Sequence, residues 1–221
     1  MATSFLQIST PAEDLLLAPI EALRSAAGLA ANDTSRDAEL TELGKRVSAE
    51  IVEACRISVG ETEEEEGAEP TLRRETVKET FCGYGRDVLV LARRHNVKIL
   101  TITEDGRPVT LDARALRSEP GLLYRWVDGH QSFWSAREIV VEYEAGFETV
   151  PFSLAGVAVD LVRLRLSQAS IDPLVKSTRV EIVDVETVQT DRWVGSTPGA
   201  DTAGLPPEFM ARLGRFFNPV A

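Results

Sequence analysis

The chain has 221 residues, 43% of them hydrophobic, and a formal net charge of −11. That length suits one domain with or without projecting arms, and the apolar fraction is enough for a sizeable core. No run approaches the ~20 apolar residues of a membrane span, no secretory signal is written at Met1-Ala2-Thr3-Ser4-Phe5, and two cysteines are too few for a disulfide framework, which excludes membrane and disulfide-stapled secreted classes and makes the cytoplasm the expected compartment.

Thr10-Pro11-Ala12-Glu13 carries a helix start, a threonine cap with proline at the first helical position. Leu15, Leu16, Leu17, Ile20 and Leu23 follow, so a helix over about 11–29 is expected, with Pro19 kinking or restarting it and Gly28 stopping it. A second helix over about 35–57 is clearer, because Leu40, Leu43, Val47 and Ile51 recur three and four apart with Glu42, Lys45, Arg46 and Glu50 between them. The run Glu61-Thr62-Glu63-Glu64-Glu65-Glu66 reads as a solvated loop. It lies in a strongly acidic third: residues 1–70 hold 15 acidic and 5 basic side chains (−10), and residues 71–221 hold 20 and 19 (−1). No cluster of Lys and Arg neutralises phosphates, so nucleic acid is expected to be repelled rather than bound.

From about residue 71 the period changes from helical to alternating. Strands are expected over Glu75–Phe81, Val88–Leu91, Val97–Thr103, Gly121–Trp126 and Glu138–Glu144, with Glu104-Asp105-Gly106 as a hairpin turn leading into Pro108-Val109-Thr110-Leu111. Pro151 then opens a third helix, over about 151–168. Leu154, Val157, Ala158, Leu161 and Val162 make one apolar face of it, while Val159, Leu164 and Leu166 fall elsewhere and call for further neighbours, with other subunits as candidates. Arg179 to Gln189 is extended and Val-rich. Gly195 to Gly204 has linker composition, and Pro206-Pro207-Glu208 starts a terminal helix bearing Leu205, Phe209, Leu213, Phe216 and Phe217, expected to dock on a partner. The fold class expected is α+β: a helical bundle from 11–57 and 151–168, an antiparallel β section over 75–144, a main domain over 1–194, and a linker plus docking helix over 195–221.

Chemistry is sparsely written. His95 and His130 stand alone, without a second ligand at metal spacing, and no metal or cofactor is expected. Gly83-Tyr84-Gly85 imitates a nucleotide-binding turn, but Val88 stands where a third small residue belongs. Trp126, His130, Phe133 and Trp134 surround Asp128-Gly129, a loop that can stack on a sugar or base yet suits packing or an interface better. Glu142 and Glu144 alternate with Val141 and Tyr143, as on the solvent face of a strand.

Val140-Val141-Glu142-Tyr143-Glu144-Ala145-Gly146-Phe147-Glu148-Thr149-Val150-Pro151, followed by Leu154, Ala158 and Leu161, resembles the head–tail connector (adaptor) family of tailed bacteriophages. That family shows a strand, an Ala-Gly-aromatic turn, then Val-Pro and a helix. Leu89 to Ile99 with Asp105-Gly106, and Gly204-Leu205-Pro206-Pro207-Glu208 with Leu213, are similar to further parts of it. Asn96 stands where the family usually has proline, and the acidic loop with residues 112–137 looks longer than typical. The resemblance implies a structural, non-catalytic subunit of the virion neck, assembled in the host cytoplasm, forming a ring of about twelve copies beneath the portal. Its partners would be other copies, the portal protein and the next neck or tail protein, with DNA passing through the lumen unbound. Another neck or tail-completion protein, or a ligand-binding protein using the Trp126–Trp134 loop, are the alternatives.

Overall fold

The structure is a computed structural model. It describes residues 4–60, 69–82, 85–112, 114–117, 121–169, 177–182, 186–191 and 205–218, with no side-chain description for 169, 177–182 or 186–191. The fold is α+β, as expected, with four helices and antiparallel sheets among the described residues. The acidic run 61–66 and the linker 195–204 lie outside the described residues.

Strand β1 (Ser4–Thr10) comes first and pairs antiparallel with β2 (Glu75–Cys82). The expected helix over 11–29 is therefore corrected: Thr10 ends a strand opposite Thr76, and only α1 (Ile20–Ala26) is helical. The segment between is a strap over α2 (Asp37–Ala54), where Leu17 N donates to Ser48 Oγ at 3.0 Å and Leu16 crowds Gly44, so its backbone needs no helix. Pro19, with ψ 150°, does restart the chain into α1, and Gly28 at φ 73° ends it.

The five-stranded sheet runs β1-β2-β9-β4-β5, with β4 (Lys98–Glu104), β5 (Arg107–Pro108) and β9 (Glu138–Ala145). Asp105 and Gly106 both have positive φ, as a two-residue turn between β4 and β5 requires. The continuation beyond Pro108 is not a strand, although Val109 N still donates to Ile102 O. A second sheet has β3 (Val88–Val90), β7 (Leu122–Val127) and β6 (Leu116–Arg117) in that order, with β8 (His130–Ser132) on β7. The two sheets share one core, in which Leu6, Val77, Phe81, Leu89, Leu123, Trp134, Ile139, Val141 and Tyr143 are buried.

A separate helical core joins α1, α2, α3 (Phe152–Ala169) and α4 (Pro207–Leu213), the last continued by a 3-10 turn (Gly214–Phe216). Leu205, Phe209, Leu213 and Phe216 are buried in it beside Ile51, Leu154, Leu161 and Val162, and Phe217 packs half-buried against it. The expected docking stripe is thus corrected. Its apolar residues already have neighbours within the chain, and burying them there removes their whole face from water. Val159, Leu164 and Leu166, expected between subunits, are half-buried against the same core. Strands β10 (Ser177–Ile182) and β11 (Glu186–Asp191) form a two-stranded antiparallel ribbon of their own.

Candidate functional site

The most unusual chemistry lies where the two cores meet. β2 alternates strictly, and Glu75, Val77, Glu79 and Phe81 share its inner face, so two carboxylates enter the interior. Glu75 forms an ion pair with Arg93, and both are almost fully buried. A second Arg93 nitrogen, Nη1, donates to Ser58 O beyond the end of α2. Glu79 Oε2 accepts from Ala92 N and from the Tyr143 hydroxyl, both at 2.9 Å, and that hydroxyl accepts from Arg93 N at 3.2 Å. Glu79 Oε1 and Arg93 Nη2 have no hydrogen-bond partner among the described residues. Burial pushes the Glu79 carboxyl above its usual range, against the pull of the Ala92 amide. Burial likewise pushes Glu75 up, opposed by the Arg93 guanidinium, and pushes the Tyr143 hydroxyl up.

The C-terminal segment closes the same joint. Asn218 N donates to Cys55 O at 2.9 Å, and Asn218 Nδ2 donates to Ala92 O at 2.8 Å. His95 Nε2 lies 2.9 Å from Phe216 O, and its ring stacks on Phe147 with centroids 5.5 Å apart. Burial holds His95 below the usual imidazole range, and because the Phe216 carbonyl can only accept, Nε2 carries the N–H of the neutral ring. The end of α2, the β3–β4 loop and the tail are therefore tied together by polar contacts. The adjoining cavity, of about 10 Å³, has room for about one water molecule. A polar cluster this enclosed can fix geometry, but it offers no space for a substrate.

Surface clefts are open and shallow. One, of about 690 Å³, is lined by Leu16, Leu17, Pro19, Val150, Pro151 and Phe152, the last 93% exposed. Another, of about 340 Å³, collects Asp14, Arg73, Arg74 and Glu148, with Arg74 paired to Glu148 at 2.9 Å.

The aromatic loop does not assemble into a stacking platform. Trp134 is fully buried and its Nε1 donates to Leu123 O at 3.2 Å, while Trp126 is half-buried with the Arg114 guanidinium 4.6 Å from its ring centroid. Phe133 and His130 are exposed. Gly83 and Tyr84 lie outside the described residues, and Gly85 is tied by its N–H to Trp134 O, ahead of a strand rather than a helix. Glu142 accepts from Thr101 and Glu144 pairs with Lys98, both at the surface of the sheet. Among the described residues no group of three or more His, Cys, Asp or Glu is placed to hold a metal ion.

The residues that sequence reasoning missed are Glu75, Glu79, Arg93 and Asn218. The first two had a signal, since they share strand parity with Val77 and Phe81. No protein-family model matches the chain, and no curated protein matches it.

Proposed function

We propose that this chain is a structural, non-catalytic assembly subunit of the head–tail connector type, forming a ring beneath the portal of a tailed phage and leaving a channel for DNA. The observation that supports this reading best is the joint at Ala145-Gly146-Phe147. The residues that carry the resemblance form one continuous unit, from β9 through a sharp turn to Pro151 and α3. Gly146 has φ 93°, its N–H donates to His95 O at 2.7 Å, and Phe147 N donates to Leu72 O at 2.8 Å. A turn held on both sides fixes α3 relative to the β section, which a subunit repeated around a ring requires.

The net charge of −11 fits a lumen through which DNA slides without adhering. The test is direct: the purified protein is incubated with DNA-filled heads bearing portal and imaged by negative stain. The expected result is an added ring below each portal, and heads that stay bare would overturn the reading.

A further inference from the structure

We propose that the chain pairs with a second copy of itself by strand addition, the β10–β11 ribbon of one copy lying, in the next copy, along the edge of β1 that no described strand covers. This goes beyond the connector reading and needs neither portal nor head. The large sheet has two edges of opposite character. The β5 edge is two residues long and consists of Arg107 and Pro108, a charge and a residue that cannot donate to a ladder.

The β1 edge is seven residues long, Ser-Phe-Leu-Gln-Ile-Ser-Thr, with neither charge nor proline. Among the described residues its one neighbour is β2, and Phe5 is 50% exposed. A long uncharged edge offers unpaired backbone groups to any extended chain that reaches it.

The ribbon supplies such a chain. Its strands pair with each other and with no other described strand. A lone two-stranded ribbon is at best marginally stable in water, so it gains from a third strand. Its register sets Val180 opposite Val188 and Arg179 opposite Gln189, a regular antiparallel ladder whose outer backbone groups are available to a third strand. The seven residues between Ala169 and Ser177 allow a reach of roughly 25 Å at full extension. Edge and ribbon are different surfaces, so each copy offers one of each and the contact is head-to-tail, closing into a ring or running on as a filament.

Two variants test this. One carries Phe5→Lys and Ser9→Lys, which charge the edge without touching buried Leu6 or Ile8; the other replaces residues 177–191 with a Gly-Ser linker. In sedimentation velocity the wild-type chain is expected to grow in mass with concentration, while each variant alone stays monomeric with its helical ellipticity unchanged. Mixed together, the ribbonless variant offers an edge and the lysine variant a ribbon, so they should form one-to-one complexes and nothing larger. If the lysine variant misfolds, Gln7→Lys takes its place. A wild-type chain that is monomeric at every concentration, variants that associate like it, or a mixture that fails to combine would each overturn the pairing. Because the free chain is measured, the outcome is separate from that of the ring-on-portal experiment.

Discussion

Gly146 shows how one residue can be dictated by its surroundings. At φ 93° it occupies a region that side chains rarely adopt, and a Cβ there would overlap the Arg73 carbonyl. Gly146→Ala is expected to lower stability by more than ~2 kcal/mol, read as a lower urea midpoint, because strain and backbone overlap add. Asn96 gives the converse lesson. It too has positive φ, at 50°, which proline with φ fixed near −65° does not reach, so the local backbone excludes proline at this position. Glu79 carries a pH dependence. Its folded carboxyl is raised by burial above the ordinary 4.5, so the fold binds a proton that the unfolded chain has released. The stability it contributes is complete below about 4.5 and is lost as pH rises through the folded value. Glu79→Gln keeps an acceptor for Ala92 and Tyr143 and removes that loss. Its urea midpoint should therefore exceed the wild type's at pH 8 by more than at pH 5. His95, held low by burial, acts in the opposite direction below its ordinary 6.5, and comparing the two proteins at each pH cancels it.

The elements divide by how local their causes are. Helix α2 was legible because its apolar spacing suffices, and so were α3, β9 and the Asp105-Gly106 turn, whose residues state their own conformation. β1 was not legible, since Ser4–Thr10 becomes a strand only by finding β2 some seventy residues later, and Thr10-Pro11 imitates a helix start. The terminal helix is legible as a helix, but its destination is not. A stripe of Leu205, Phe209, Leu213 and Phe216 has the same spacing whether it meets a partner or its own core, and only the tertiary fold decides. That decision has a measurable cost. Phe209, 5% exposed, is expected to lose ~3–5 kcal/mol on substitution by alanine, whereas half-buried Phe217 should lose distinctly less, with both read from denaturant midpoints. Equal small losses at both positions would mean that α4 is not part of the core. The buried site was the least legible part, because charged residues on an inner strand face run against the usual assignment of Glu to solvent.

The described residues form two hydrophobic cores whose junction carries a polar seam. Buried ion pairs commonly add little net stability compared with apolar residues of similar volume, because desolvation offsets the attraction. What the Glu75–Arg93 pair adds here is connection: Arg93 bonds to Ser58 beyond α2, and Asn218 bonds to both Cys55 and Ala92. Replacing the pair with Glu75→Met and Arg93→Met, together with Asn218→Ala, should leave each core folded while loosening their coupling. Two probes see the cores separately. Helical ellipticity follows the α bundle, and the fluorescence of Trp126 and Trp134 follows the β core, once Trp193, outside the described residues, is changed to Phe. In the Trp193→Phe parent the two urea transitions are expected to coincide, as one cooperative unit requires. In the seam variant they should separate, with neither core's folded signal lost in the absence of urea. Coincident transitions in both proteins would place the coupling in apolar contacts between the cores, and separated transitions in the parent would show that the seam does not couple them at all.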